Sequence, residues 1–229
     1  MLIKGLQKLT LLDYPTKTAC TIFTGGCNFR CPFCHNASLV LDLNEGERFE
    51  EADVLSFLKK RIGLLDGVCV TGGEPLLQRD IKSFLGKIKD MGYSVKLDSN
   101  GYCPEKLSEI VSDGLCDYVA MDIKNCKEKY SSTSGIDIDI SKIEESVDFL
   151  MSCGIDYEFR TTVVKEYHTL SDIEKIAEWI SGAKKYFLQS FVDSGDIICQ
   201  NLSAVDKQLL YEMQKAASKY VKNTEIRGI

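Results

Sequence analysis

No stretch of this 229-residue sequence approaches the roughly 20 consecutive apolar residues that a membrane-spanning helix requires. Residues 1–5 lack the hydrophobic segment and the small-residue cleavage site of a secretory signal peptide. The basic residues are scattered and the formal net charge is −6, whereas binding to nucleic-acid phosphates requires a concentrated basic face. These absences predict a cytoplasmic protein that binds neither membrane nor nucleic acid.

Common motifs of nucleotide-dependent and hydrolytic enzymes are also missing. No Gly-x-Gly-x-x-Gly follows a strand pattern, and the sequence contains no Walker phosphate loop and no His-Glu-x-x-His. A dehydrogenase, a kinase and a zinc hydrolase are therefore unsupported. Because no linker, repeat or low-complexity tract divides the chain, we expect one domain over residues 1–229, with residues 1–16 as an N-terminal extension.

Three of the ten cysteines stand close together, directly after a β-type run at residues 19–23. Cys27, Cys31 and Cys34 form a Cys-x-x-x-Cys-x-x-Cys arrangement. Thiolates are the natural ligands of soft metal ions and of iron–sulfur clusters. Three ligands rather than four is informative, because a four-iron cluster would then keep one iron free for a substrate.

Two other interpretations of these cysteines remain open. A structural zinc site requires four closed ligands, but no second Cys-x-x-Cys pair exists, and His35 adjoins Cys34 too closely to reach the same metal. A disulfide framework is disfavoured by the odd local number of cysteines and by the expected compartment. A zinc-binding interaction module without enzymatic activity is thus the alternative from another functional class. About one zinc and no sulfide by elemental analysis would support it.

Short β-type runs alternate with segments of helical period, which predicts βα units around a parallel sheet. The predicted strands are residues 18–23, 67–71, 94–98, 118–122, 158–164 and 185–191, and residues 224–227 form a strand-like tail. Six units are fewer than the eight of a closed barrel. Capping boxes are predicted at Ser141 and Ser171, each with glutamate three residues later.

The cysteine loop resembles the signature of the radical S-adenosylmethionine superfamily, Cys-x-x-x-Cys-x-aromatic-Cys, with Phe33 at the aromatic position. The following His35-Asn36 is similar to the branch that activates glycyl radical enzymes. The order of the later motifs is most similar to activating proteins of anaerobic ribonucleoside-triphosphate reductase. This resemblance implies an α/β fold built as an open, partial (β/α)6 barrel, with the cluster loop after the first barrel strand. It also implies that the three cysteines hold a catalytic [4Fe–4S] cluster that binds S-adenosylmethionine.

Further candidate residues follow the second and third predicted strands, where active sites of parallel βα folds collect. Gly73 and Glu74 belong to a Gly-Gly-Glu-Pro segment, which by itself is usually a tight turn. The resemblance assigns both residues to the methionine amino group of the cofactor. Asp98, Ser99 and Asn100 would ordinarily be an Asn-Gly turn with a solvated aspartate. The resemblance implies that they bind the ribose and methionine parts, and it allows for a bound monovalent cation.

The later strands contribute four more candidates. Asp122 and Lys124 point the same way on an extended chain, and as a surface ion pair they would contribute little. The resemblance places them near the methionine carboxylate and the substrate peptide, with Lys124 in a catalytic role. Arg160 lies in an apolar strand and needs a carboxylate or similar partner, which the resemblance extends to the cofactor. Gln189 stands near Phe191, where related formate-lyase activases have a histidine, and is the candidate for a replacement polar contact.

The resemblance implies an oxidoreductase that cleaves S-adenosylmethionine to methionine and a 5′-deoxyadenosyl radical, which then generates a glycyl radical on a partner enzyme. Flavodoxin or ferredoxin would donate the electron, and anaerobic ribonucleoside-triphosphate reductase is the expected partner. A formate-lyase or diol-dehydratase type of partner is an alternative. So is a small-molecule, peptide or RNA substrate, although the compact length and the absence of an auxiliary-cluster domain favour the activase.

Overall fold

Strands and helices alternate along the chain in the computed structural model, which describes residues 1–229. The strands are β1 (Ile3–Thr10), β2 (Ala19–Thr24), β3 (Gly67–Gly72), β4 (Ser94–Ser99), β5 (Tyr118–Asp122), β6 (Asp156–Val163), β7 (Tyr186–Ser190) and β8 (Thr224–Arg227). The α-helices are α1 (Ala37–Leu41), α2 (Glu51–Lys59), α3 (Ile81–Asp90), α4 (Pro104–Ser112), α5 (Tyr130–Ser134), α6 (Ile140–Ser152), α7 (Leu170–Trp179) and α8 (Lys207–Ala217). None of these helices is long and apolar enough to cross a membrane.

The chain divides into two compact units. The first unit comprises Met1–Asn28, Ser38–Ser99 and Cys103–Val119, and the second comprises Phe29–Ala37, Asn100–Tyr102 and Ala120–Ile229. The division runs through the cysteine loop, because Cys27 belongs to the first unit whereas Cys31 and Cys34 belong to the second. The expectation of a single domain over residues 1–229 stays a prediction.

The strand order in the sheet follows the chain from β1 to β8, and the order does not close on itself. The pairs β2–β3, β3–β4, β6–β7 and β7–β8 are parallel. A mostly parallel, open sheet confirms the predicted α/β class, and the cysteine loop follows β2 as expected. The sheet has eight strands rather than six, because β1 and β8 lie at its two ends.

The N-terminal stretch contains a strand that the sequence pattern did not reveal. Strand β1 pairs with β2 in the antiparallel direction, with Ile3 opposite Thr24 and Gln7 opposite Thr21. Only the first and last residues of β1 are fully buried, and the register shifts twice along the pair. The apolar and polar residues therefore do not alternate regularly, and alternation is the signal by which a half-buried strand is recognised.

Two predicted helix starts are displaced by two residues. Helix α7 is capped by Thr169, whose side chain accepts from the backbone N–H of Asp172 while the Asp172 carboxylate accepts from the backbone of Thr169. The capping box is thus real, but it does not begin at Ser171. Helix α6 is capped by Asp139, which accepts from the backbone N–H of Ser141. Aspartate is the N-cap residue of α6 and the third residue of the α7 capping box, whereas the predictions looked for serine and glutamate at these positions.

Candidate active site

Close contacts at Gly72 and Gly73 bring together the backbone at the ends of β2 and β3 in the first unit. Gly26 accepts a hydrogen bond from the backbone N–H of Glu74 at 2.8 Å. A Cβ on Gly73 would lie 2.0 Å from the carbonyl oxygen of Gly26, and a Cβ on Gly72 would lie 2.4 Å from the backbone of Thr24. No side chain larger than hydrogen fits there without backbone movement. We call Gly25, Gly26, Gly72 and Gly73 the glycine junction, and it fixes the backbone immediately before Cys27.

Glu74 is almost fully buried beside this junction. Its Oε1 accepts a hydrogen bond from the backbone N–H of Leu76 at 3.1 Å and another from the Ser99 hydroxyl at 3.0 Å. The carboxylate therefore caps the short 3₁₀ turn at Pro75–Leu77 and joins the ends of β3 and β4. Ser99 thus orients Glu74. The sequence pattern did not reveal this contact between the two predicted cofactor-binding residues.

Asp98 lies next to two groups from inside the first unit. The Lys96 ammonium and the Cys69 thiol both donate to Asp98 Oδ1, the thiol at 3.8 Å. Lys96 and Cys69 are opposite each other in the parallel pairing of β3 and β4, and both are buried. Asp98 is therefore not the solvated aspartate of a simple turn. Lys96 was missed in the sequence, although a lysine within an apolar strand is the same signal that drew attention to Arg160.

The rest of the cysteine loop is held within the second unit. The backbone N–H of Arg30 donates to Ser134 at 2.8 Å, and a Cβ on Gly135 would lie 2.1 Å from the carbonyl oxygen of Arg30. Cys34 donates its backbone N–H to Cys31 at 3.0 Å, which forms a tight turn between the two cysteines. The backbone of this part of the loop is thus fixed by neighbouring backbone rather than left as an open connection.

Aromatic side chains pack around the loop in the second unit. Phe33 is buried against Val164 and Phe191, and its ring centroid lies 5.8 Å from that of Tyr167. The His35 ring stacks on Phe191 at 5.4 Å. The aromatic position of the cysteine motif therefore acts here as an apolar anchor, and its predicted contact with a cofactor stays a prediction.

The environment of Cys31 combines burial with a nearby positive charge. Burial raises the pKa of the Cys31 thiol to about 11, whereas the charge of Lys124 acts in the opposite direction. Binding of a soft metal centre would displace the thiol proton, since the thiolate is the ligand form. Lys124 would then face a negative ligand, which favours its own charged state.

A cluster of charges, which we call the ion cluster, consists of Asp122 at the end of β5, Lys124 just beyond it and Arg160 within β6. Arg160 Nε donates to Asp122 Oδ1 at 2.8 Å, and Lys124 Nζ donates to Oδ2 at 3.1 Å. Burial opposes ionisation of Asp122, but the charge of Arg160 and then that of Lys124 outweigh it and hold the pKa of this carboxyl well below its usual range. The carboxylate partner expected for Arg160 is thus confirmed as Asp122.

The backbone of the ion cluster is fixed by buried hydrogen bonds. The Thr161 hydroxyl donates to the carbonyl oxygen of Ile123 at 2.8 Å. His168 accepts from the backbone N–H of Val164 through Nδ1, which leaves Nε2 to donate to the carbonyl oxygen of Lys124 at 2.8 Å. His168 is therefore a buried structural residue of the second unit, in the loop between β6 and α7.

The remaining candidates occupy different settings. Asn100 Oδ1 accepts from the backbone N–H of Tyr102 at 3.0 Å and so forms the expected Asx turn. The φ of Gly101 is +76°, in the left-handed region that favours glycine, and a Cβ there would also lie 2.1 Å from the Met121 methyl group. Gln189 lies half-buried in β7, opposite Thr162 in the register with β6. Its predicted polar contact stays a prediction.

The donor chemistry of the loop fits an iron–sulfur cluster. Three thiols lie within eight consecutive residues, and both sides of the loop are held by backbone contacts that only glycine permits. All ten cysteines are free thiols. The side chains of His, Cys, Asp and Glu nowhere form a group of three that could hold a metal ion, so ligation by the three cysteines stays a prediction.

Comparisons with known proteins agree with this chemistry. The model of the Radical SAM superfamily matches residues 21–180. A Methanocaldococcus jannaschii protein named "Putative glycyl-radical enzyme activating enzyme" is 34% identical over 100% of this chain and 96% of its own length. A Sulfolobus acidocaldarius protein named "Probable GTP 3′,8-cyclase" is 31% identical over 58% of this chain and 42% of its own length.

Solved structures share the fold at low sequence identity. Streptococcus suis SuiB bound to its precursor peptide SuiA has a TM-score of 0.74 at 13% identity, over 91% of this chain. SuiB bound to S-adenosylmethionine has a TM-score of 0.71. The chain spans 48% of SuiB and less than half of the cyclase, whereas it spans nearly all of the M. jannaschii protein.

Proposed function

This chain belongs to the radical S-adenosylmethionine superfamily, and we propose that it is the activating enzyme of a glycyl radical enzyme. Members of the superfamily use a [4Fe–4S] cluster and S-adenosylmethionine. The observation that carries the proposal is the similarity to a named activating enzyme over the whole of both chains. The similarity to the GTP cyclase covers only part of that protein, and this favours an activase over a cyclase.

We assign Cys27, Cys31 and Cys34 to the cluster. When bound, the cluster supplies the electron that cleaves S-adenosylmethionine to methionine and a 5′-deoxyadenosyl radical. The glycine junction orients Cys27 by fixing the backbone before it, and the Arg30–Ser134 contact does the same before Cys31. Phe33 and its apolar neighbours exclude water from the loop, which strengthens electrostatic interactions nearby.

The methionine part of the cofactor carries an ammonium and a carboxylate, and candidate residues of this chain carry complementary charges. Glu74 is a buried carboxylate beside the glycine junction, next to Gly73, and suits the ammonium. Lys124 and Arg160 suit a carboxylate, and Asp122 keeps both charged and oriented. Asp98, Ser99, Asn100 and Gln189 are the proposed polar contacts to the rest of the cofactor. Lys124 is also the group that we propose to meet the incoming peptide.

For the partner we propose anaerobic ribonucleoside-triphosphate reductase, with a flavodoxin or ferredoxin as electron donor. The support is the overall resemblance of the motif order to the activating proteins of that reductase, whereas the Cys34-His35-Asn36 and Asp98–Gly101 motifs are similar to glycyl radical activases in general. A formate-lyase or diol-dehydratase type of glycyl radical enzyme would present the same chemistry, a glycine Cα–H to the 5′-deoxyadenosyl radical.

Anaerobic electron paramagnetic resonance tests the function directly. The cluster-reconstituted protein is mixed with S-adenosylmethionine, a low-potential reductant and the reductase. We expect a glycine-centred doublet that is lost in Cys31→Ala and retained in Cys199→Ala, since Cys199 is exposed and lies outside the motif. Release of 5′-deoxyadenosine without a doublet would mean that the partner is wrong. If the cluster-loaded protein gives neither a doublet nor 5′-deoxyadenosine, the activase assignment is refuted.

A further inference from the structure

We propose that the Lys96 ammonium occupies the position of a monovalent cation at Asp98, so that this protein binds its cofactor without potassium or sodium. The inference rests on the proposed function in one respect, the placement of Asp98 at the cofactor. The resemblance to the superfamily allows for a monovalent cation at this motif, and the residues around Asp98 do not fit one.

Lys96 and Asp98 are two residues apart on β4, so that their side chains project from the same face of the strand. Only 2% of the Lys96 side chain and 14% of the Asp98 side chain is exposed. A buried ammonium needs a nearby negative charge, because loss of hydration is otherwise too costly. Asp98 supplies that charge in direct contact. Because Lys96 is buried, water cannot replace Asp98 as its partner.

Two of the groups at Asp98 Oδ1 are donors rather than cation ligands. Lys96 Nζ contacts this oxygen, and the Cys69 thiol approaches it at 3.8 Å. Lys96 Nζ also lies 3.7 Å from Cys69 Sγ, so the three groups are mutual neighbours. An alkali cation requires several oxygen ligands, and an ammonium has no lone pair to offer. A second positive charge beside Lys96 would also be repelled.

The consequence is a difference in ion dependence. A site that uses a free cation loses affinity when the cation is removed, following mass action. A site whose cation is a lysine side chain cannot lose it. We therefore expect S-adenosylmethionine affinity to be the same in potassium chloride and in tetramethylammonium chloride of equal ionic strength, because the organic cation is too large for a carboxylate site in the interior.

The first experiment uses the wild-type protein. Affinity for S-adenosylmethionine is measured anaerobically on the cluster-loaded protein in both salts, and the melting temperature of the cluster-free protein is measured in the same two salts. We expect dissociation constants within about twofold and equal melting temperatures. A tenfold or greater loss of affinity in tetramethylammonium, or a melting temperature that rises specifically with potassium, would overturn the proposal.

Variants then create the ion dependence that the wild type lacks. Lys96→Met keeps the apolar stem and removes the charge, which leaves Asp98 to recruit a cation. We expect the melting temperature of this variant to rise with potassium and not with tetramethylammonium. The double variant Lys96→Met/Asp98→Asn removes both charges and should be indifferent to the salt. Lys82→Met, at an exposed lysine of α3, is the control and should behave as the wild type does.

The outcomes separate this inference from the proposed function. If Lys96→Met does not fold, the wild-type measurements still decide the question, and the double variant reports whether the unpaired carboxylate was the cause. If the protein binds no S-adenosylmethionine, the proposed function fails, while the melting temperatures still test Lys96. If a folded Lys96→Met variant has the same melting temperature with and without potassium, the proposal that Lys96 takes the place of a cation is refuted.

Discussion

The glycine junction of the first unit is built from backbone, whereas the ion cluster of the second unit is built from charged side chains. The glycine junction places backbone groups where a Cβ on Gly72 or Gly73 would collide with them. The ion cluster instead holds Lys124 and Arg160 through a shared carboxylate, Asp122. A steric arrangement tolerates almost no substitution, because interiors are close-packed and compress little. An electrostatic arrangement responds gradually, since charges are compensated by neighbours and by water.

The largest effect is expected at the glycine junction. Gly73→Ala places a Cβ about 2 Å from the carbonyl oxygen of Gly26, so that one of the two segments must move, at a cost of about 4 kcal/mol or more. We expect a lower urea midpoint and a large loss of iron after reconstitution. Gly86→Ala is the matched control, because Gly86 lies inside α3 with its nearest neighbour at 3.8 Å. It should stabilise the protein by about 0.5–1 kcal/mol. Equal stability of the two variants would contradict the steric argument.

The ion cluster should show the next largest effect. Asp122→Asn leaves Lys124 and Arg160 without their common carboxylate, and we expect a loss of about 3 kcal/mol in urea unfolding together with weaker binding of S-adenosylmethionine. Asp156→Asn removes a carboxylate from an exposed pair with Lys184 and should have no measurable effect. A wild-type unfolding midpoint for Asp122→Asn would show that the cluster does not contribute to stability.

Asp172 lies in the second unit outside the ion cluster, and its contribution to stability can be tested by changing the pH. Burial opposes ionisation of Asp172, but hydrogen bonds from Lys129 and Thr169 outweigh it and lower the pKa to about 2. A carboxylate with a lowered pKa stabilises the fold above its unfolded pKa of about 4, and this stabilisation is lost as the pH falls towards 2. Between about pH 6 and pH 2 the wild type should lose about 2 kcal/mol more than Asp172→Asn. Parallel losses in urea unfolding would exclude this linkage.

The smallest effect is expected for the hydrogen bond between Ser99 and Glu74 in the first unit. Ser99→Ala removes the hydroxyl that donates to Glu74, at a cost of about 1 kcal/mol. We expect a few-fold weaker binding of S-adenosylmethionine by calorimetry, since Glu74 would be less well oriented. Ser99→Thr keeps the hydroxyl and should retain most of the affinity. Equal loss in both variants would show that packing, rather than the hydrogen bond, matters at this position.

The sequence was sufficient wherever local chemistry determines the structure. Strand β3 is a largely apolar run and β4 alternates apolar with polar residues, and the limits of both were predicted to within one residue. Asp122 and Lys124 were expected on the same face, and they form an ion pair. The need of Arg160 for a carboxylate partner could also be inferred from the sequence, because this arginine lies in an apolar strand pattern.

Long-range contacts and irregular patterns escaped prediction. The partner of Arg160 lies 38 residues away in sequence, and no local pattern links Arg160 to Asp122. Strand β1 was hidden by its register shifts, and both displaced caps involve aspartate at a position where serine or glutamate was expected. Lys96 could have been noticed as a lysine within a strand pattern, but its contact with Cys69 depends on how β3 and β4 pair.

The contact between Gly26 and Glu74 has a consequence for biosynthesis. The two residues are separated by about 50 positions, and a ribosome adds about 5–20 residues per second, so the cysteine motif leaves the ribosome several seconds before the turn that fixes its first half. During that interval the three thiols belong to an incompletely folded chain. Cluster assembly on the nascent protein would therefore follow, rather than precede, the emergence of the Gly-Gly-Glu-Pro turn.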